Sequence, residues 1–211
     1  MRRNNSGTIS NRPFKRDGIW ALFIGGSYPN PLTGECQSAQ ARINELIEAS
    51  QLAEQAGIDV FGVGESHQSY FTTQAHTVVL GAIAQATKKI KITSSATVLS
   101  VSDPVRVYED FATIDLISDG RAEIVAGRGS RVGAYQLLGV DLQDYEEIFE
   151  EKLELLKKIN EEEYITWQGE YRAPLQKAQI LPQPKNGQFQ FGVRLEVHQQ
   201  VPLKQDIWES R

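Results

Sequence analysis

The sequence predicts an α/β fold with a parallel sheet, on three observations. Short apolar runs alternate with longer amphipathic stretches four times in succession. Glycine or lysine marks the end of each of the first three amphipathic stretches (Gly57, Lys88 and Lys89, Gly120). The chain has 211 residues, 40% of them hydrophobic and 23% charged, an ordinary globular composition. Strands alternating with helices imply parallel strands joined by right-handed crossovers. An open doubly wound sheet and a (β/α)8 barrel both satisfy the pattern. Four units make half a barrel, and a typical barrel takes about 250 residues.

Residues 18–24 form an apolar run suited to a buried strand. A Gly/Pro/Asn loop from Gly25 to Glu35 leads into a helix over 38–56, with Ile43, Leu46, Ile47 and Ala53 on one face. Gly57 suits its stop. Val60 to Val63 read as the second strand and 75–87 as its helix, with Lys88 and Lys89 at the end where positive charge is favoured. The third strand is expected from Ile90 to Leu99. Asp103 and Pro104 then supply a capping carboxylate and a first-turn proline. Val105, Tyr108, Ala112 and Leu116 give that helix its apolar stripe. Ala122 to Gly127 form the fourth strand. A helix follows from Tyr145 to Asn160, with Phe149, Leu153, Leu156 and Ile159 inward. Ile165 to Tyr171 reads as a small hairpin around Gln168-Gly169, and periodicity fades beyond Pro184.

Composition narrows the function classes. A net charge of -5 argues against nucleic acid as the main partner. No run approaches 18 apolar residues, so no membrane-spanning helix is expected. The single cysteine, Cys36, cannot form an internal disulfide, which fits a reducing, cytoplasmic setting. Three histidines and one cysteine are too few for an obvious zinc cluster, so no metal site is expected. The basic, polar residues 1–16 lack the apolar core of a signal peptide and read as a disordered extension.

Several motifs occur together. They are Asp59-Val-Phe-Gly-Val-Gly-Glu-Ser-His67, Thr93-Ser-Ser-Ala-Thr-Val-Leu-Ser100 followed by Ser102-Asp-Pro-Val-Arg106, and Ser118-Asp-Gly-Arg-Ala-Glu-Ile-Val-Ala-Gly-Arg-Gly-Ser130. Tyr145 to Leu156 and Leu181-Pro-Gln-Pro184 continue the set. In order and spacing, residues 18–188 resemble the bacterial-luciferase-like, flavin-dependent oxidoreductases. The resemblance implies a (β/α)8 TIM-type barrel, of which this chain holds the N-terminal half, incomplete after the fourth βα unit. It implies FMN at the C-terminal ends of the strands, reduced by a separate flavin reductase and reacting with dioxygen and a small organic substrate, usually as a monooxygenase. A related branch uses a deazaflavin for hydride transfer. The resemblance also implies a dimer for a full-length member.

Residue by residue, the resemblance places Ser95 and Ala96 under the flavin ring, sometimes through a non-prolyl cis peptide. It places Arg128 at the end of the fourth strand, where a guanidinium can hold a phosphate or polarise the flavin edge. Gly127 and Gly129 would let backbone approach the ligand, and Ser130 would donate a hydrogen bond. Glu65 and His67 are the candidate catalytic pair. The family usually carries Glu-His-His here; Ser66 replaces the first histidine, and a hydroxyl cannot hold a proton near neutral pH as imidazole can. Read without the resemblance, Glu65 and His67 are loop caps, Arg128 a structural ion-pair residue, and the glycines turn residues. His76 reads as a helix-surface or packing residue. Glu146, Glu147, Glu150, Glu151 and Glu154 read as a solvated helix face.

The tail departs from the family, which continues with Leu-Pro-Ile-Trp and a Val-Gly-Gly-Thr-Pro turn. The residues from Phe189 to Pro202 do not. Permitted codons for 189–211, read one nucleotide upstream, allow Pro-Ile-Trp-Arg-Ala-Val-Gly-Gly-Thr-Pro as a reading. Third bases are free in this reading, but the first two of each codon are mostly fixed by the residues. The expectation is a non-native, out-of-frame tail over 189–211; the alternative is a genuine short variant. Half a barrel is expected to leave a strand edge unpaired and an apolar face uncovered.

Overall fold

Residues 20–127 repeat one local design: an apolar strand, a turn, and a helix that carries the chain back to the starting edge. The computed structural model describes residues 18–23, 25–129, 132–189 and 191–194. The basic extension 1–16 and the tail beyond 194 lie outside the described residues. In chain order the elements are β1 (Trp20–Phe23), α1 (Ala39–Gln55), β2 (Val60–Val63), α2 (His76–Ala86), β3 (Lys91–Ser94), β4 (Thr97–Val98), α3 (Pro104–Ser118) and β5 (Ala122–Gly127). They continue with α4 (Gly133–Leu138), α5 (Tyr145–Glu161), β6 (Ile165–Trp167), β7 (Leu175–Ala178) and β8 (Phe191–Arg194).

The sheet is parallel in the order β1-β2-β3-β5-β4, with β8 also pairing β5. Alternation along the strands gives it two faces. Phe61, Val63, Ile92, Ile124 and Ala126 join the core with Val79, Leu80 and Ile83 of α2, Val107, Tyr108 and Phe111 of α3, and Phe149, Leu156 and Ile159 of α5. Each fully buried side chain of this size contributes about 1.5–3 kcal/mol. The other face carries Leu22, Gly62, Thr93 and Glu123, in register across β1, β2, β3 and β5. A Cβ on Gly62 would lie 2.7 Å from the Leu22 side chain and 3.1 Å from that of Thr93, so a larger residue there would force its neighbours to shift. Leu22 is 46% exposed because β1 has a single neighbour among the described residues.

The helix signals are realised. Ser38 caps α1 by accepting from the Ala41 N–H (3.2 Å). Asp103 caps α3 by accepting from the Val105 N–H (2.8 Å), with Pro104 in the first turn. Asp119 and Gly120, both at positive φ, end α3. At the N-terminal end of the sheet Arg121 donates to the carbonyls of Ala84, Thr87, Ile90 and Ser118 at 2.6–3.0 Å. There too Glu54 accepts from the N–H groups of Lys88, Lys89 and Ile90 at 2.5–3.1 Å. These two side chains fasten the α2–β3 turn, the stabilising end of such a fold.

Several sequence expectations are corrected. The single strand over 90–99 is two, β3 and β4, because the chain turns at Ser95-Ala96. The buried stripe of α3 is Val107, Tyr108, Phe111, Ala112 and Ile114; Leu116 is exposed. In α5 the buried set includes Ile148 and Leu155, and Leu153 is only partly buried. Helix α4 was not expected. The hairpin joins Ile165–Trp167 to Leu175–Ala178 across a longer loop than Gln168-Gly169. The expected bare edge beyond the fourth βα unit is covered: β8 pairs along Ile124–Gly127 of β5. Just before β8, Phe189 exchanges hydrogen bonds with Asn160 (2.8 and 3.3 Å) and meets Tyr108 edge-on at 5.5 Å. No helix among the described residues is long and apolar enough to cross a membrane.

Candidate active site

The C-terminal ends of β2, β3 and β5 gather most of the residues singled out in the sequence. Strand β2 ends at Val63, and the next residues keep the ladder going: Gly64 N–H donates to Phe23 O (2.7 Å) and Ser95 N–H to Val63 O (3.1 Å). The Ser95–Ala96 peptide bond is cis. Glu65 meets this turn twice. Its N–H donates to Ala96 O (3.1 Å), and its carboxylate Oε2 accepts from Val98 N–H (2.7 Å). Its other oxygen, Oε1, lies 2.6 Å from His67 Nε2. The Glu65 side chain is 5% exposed and the His67 side chain 10%.

The carboxylate's environment opposes itself. Burial raises the Glu65 pKa above the usual carboxylate range, and the His67 ring and Val98 N–H pull back against that rise. A carboxylate in hydrogen-bond contact with imidazole can hold one proton between them and present it at the ring. Ser66, between them, is buried, and its Oγ has no hydrogen-bond partner among the described residues.

His76, read from the sequence as a helix-surface or packing residue, belongs to the same cluster. It is the first residue of α2 and is buried, so the helix-surface reading is corrected in favour of packing. Its Nε2 lies 2.8 Å from Thr97 Oγ1, and its Nδ1 lies 3.7 Å from Glu65 Oε2. Burial pushes its pKa down to about 4. The signal that could have found it is spacing: the strand-two loop returns into α2, so a histidine at the helix start must face that loop.

Arg128 stands just past β5. Its carbonyl accepts from the hydroxyls of Ser100 (3.1 Å) and Tyr135. Its guanidinium pairs with Glu146 Oε1 (2.8 Å) and lies 6.0 Å from the Tyr145 ring centre. Lys152 Nζ, its pKa lowered by burial, donates to Ser100 O (2.6 Å). The α5 acids are therefore not simply a solvated face. Glu146 holds Arg128, and Glu151 accepts from the N–H groups of Glu170, Tyr171 and Arg172 at 2.7–3.2 Å. Gly127 is the last β5 residue, flanked by Val98 and Arg194. Gly129 has φ +85°, and a Cβ there would lie 2.6 Å from Val98 Cγ1, so contact within the protein already requires glycine. Ser130 and His198 lie outside the described residues. Among the described residues no group of three or more acids, histidines or cysteines is placed to hold a metal ion.

The depressed His76 pKa links stability to pH. Below the ordinary histidine value of 6.5 the unfolded chain takes up a proton that the folded chain refuses until about pH 4. Stability from this group is therefore lost as pH falls from 6.5 to 4, by about 3 kcal/mol. Glu65 works in the opposite sense, because its raised pKa favours the folded state at low pH. Comparing His76→Gln with the parent by urea unfolding at pH 7 and pH 4 isolates the histidine. The stability gap is expected to move by about 3 kcal/mol in the variant's favour at the lower pH; a constant gap contradicts the assignment.

Comparison with known proteins gives the family and the fold. The family model described as luciferase-like monooxygenase matches residues 24–202. An N-acetyl-S-alkylcysteine monooxygenase of Bacillus subtilis is 32% identical over 130 residues, 59% of this chain and 38% of the relative. An F420-dependent glucose-6-phosphate dehydrogenase of Segniliparus rotundus is 28% identical over 153 residues, 69% of this chain and 46% of the relative. The oxygenase component of a flavin-dependent trigonelline monooxygenase of Acinetobacter baylyi is 25% identical over 138 residues, covering 64% and 36%. Among solved structures, monooxygenase RslO1 of Streptomyces bottropensis superposes with a TM-score of 0.74 at 18% identity, over 83% of this chain and 53% of that one. The oxygenating constituent of 3,6-diketocamphane monooxygenase of Pseudomonas putida, in complex with FMN, gives 0.70 at 20% identity, over 83% and 51%. These two likenesses speak to the fold alone. The chain spans less than half the length of the three sequence relatives and about half that of the two structures. With the family match running through most of its length, the chain belongs to the luciferase-like monooxygenase family.

Proposed function

We propose that this chain carries the first half of a flavin-dependent oxidoreductase site that oxidises a small organic substrate with dioxygen. The observation that supports it best is the buried Glu65–His67 pair locked against the Ser95–Val98 turn at the strand ends. Chemistry in folds of this kind sits at that end. The residues fit a flavin. Ser66 offers a buried hydroxyl with no partner among the described residues, and Arg128 offers a partly exposed cation beside an aromatic ring. Ser95 and Ala96 would lie beneath the ring system, Arg128 would meet its phosphate or edge, and Gly127, Gly129 and Ser130 would line the approach. A bound reduced flavin would supply the electrons that activate dioxygen. The protein's share is to orient the substrate, keep water out and hold a proton at His67. Ser66 shifts that last task from the usual histidine to His67. A separate flavin reductase would deliver the reduced cofactor, as the designation "oxygenase component" implies for the Acinetobacter relative.

A deazaflavin is the second cofactor reading, favoured by the F420-dependent relative. Titrating the 211-residue chain with FMN and with F420, following fluorescence quenching, separates the two. FMN is expected to bind and Arg128→Ala to weaken it about tenfold, the scale of one lost charge-assisted hydrogen bond. Binding of F420 alone assigns the chain to the hydride-transfer branch. Binding of neither favours a non-catalytic relative or partner subunit.

The out-of-frame reading of 189–211 belongs to the same proposal, because strands five to eight of a full barrel would complete the site. The allowed alternate reading, with its Val-Gly-Gly-Thr-Pro turn, supports it. An authentic short tail is the competing reading, favoured by the pairing of β8 with β5 and by the family match reaching residue 202. The nucleotide sequence across codons 180–215, from independent DNA, decides. The expected result is a second frame that encodes Pro-Ile-Trp and Val-Gly-Gly-Thr-Pro and stays open; its absence makes the tail authentic.

A further inference from the structure

Thr97 is fully buried, at 1% exposure, between the cis Ser95–Ala96 peptide and Val98, and the side chain that reaches its hydroxyl is His76. Three elements converge there. The loop after β2 brings Glu65 and His67, β4 brings Thr97 and the Val98 N–H, and α2 brings His76. Phe111 of α3 closes the far side of the His76 ring at 6.4 Å, and Asp110 of α3 accepts from Thr77 (3.1 Å), one residue along α2. The imidazole is neutral under ordinary conditions, because burial holds its pKa near 4. A neutral ring has one N–H and one lone pair, and the Thr97 hydroxyl can answer either. His76 therefore fastens the turn without adding a charge beside Glu65.

We propose that His76 is a positioning residue: its hydrogen bond to Thr97 holds the Ser95–Val98 turn so that the Val98 N–H meets the Glu65 carboxylate, which in turn orients His67. The inference rests on the functional reading above only for the role given to His67. The geometry is local and can be tested without turnover.

Amide hydrogen exchange in the 211-residue chain reads the Val98 N–H directly. Thr97→Val removes one hydroxyl at nearly constant volume and is expected to speed Val98 exchange about tenfold. The amides of Ile92 and Ile124, deep in the sheet, keep their protection. His76→Leu gives the same effect, and the double variant gives no more than either single, because both break one bond. His76→Gln, whose amide reaches the ring's outer nitrogen position, restores most of the protection. Unchanged Val98 exchange in Thr97→Val, or additive effects in the double variant, overturns the proposal. If His76→Leu does not fold, Thr97→Val and His76→Gln carry the test alone. FMN affinity measured on the same variants separates the two claims. A tenfold Val98 response in a chain that binds no FMN supports the positioning role and overturns the functional reading.

Discussion

The arrangement at the strand ends depends on one buried carboxylate. Glu65 receives the Val98 N–H on one oxygen and faces His67 on the other, while its own N–H reaches Ala96. Burying a carboxylate costs free energy unless its oxygens find donors, and the cost shows as a raised pKa. The cheapest way to satisfy those oxygens is to bring the turn after β3 and the loop after β2 together. Where the third strand breaks at Ser95, the turn sets the Val98 N–H on that carboxylate.

The fold was legible because its signals are local. Caps at Ser38 and Asp103, stops at Gly57 and Gly120, and four apolar runs lie within short windows and mark elements that the structure keeps. Errors came where long-range contacts decide. Leu116 fits a helical stripe by spacing but faces away from the sheet, whereas Phe111 and Ile114 face it. The site was legible in part. Glu65, His67 and the Ser95–Ala96 turn were found through motifs. Thr97, Ser100 and Tyr135 were missed, and His76 was given no place beside Glu65, because each gains meaning only from a partner brought close by the fold. Glu146 shows the same limit: on the helix it reads as one acid in a solvated run, and only packing reveals its pairing with Arg128.

Strand β8 shows what sequence pattern can leave open. Its pairing with β5 uses main-chain groups, which almost any sequence can offer. Phe189 and Phe191 add aromatic surface to the core beneath α3 and α5. At the other end of the sheet, β1 has one neighbour among the described residues, and Ile19 and Leu22 are exposed there.

The central claim is that a flavin seats on the C-terminal ends of β2, β3 and β5, against the Glu65-braced turn. Amide chemical-shift mapping of the isotopically labelled 211-residue chain, titrated with FMN, locates the seat directly. Shifts concentrated at Gly64–His67, Ser95–Val98 and Gly127–Gly129 are the predicted result. Shifts centred on the opposite end, around Glu54, Lys88–Ile90 and Arg121, would contradict the account.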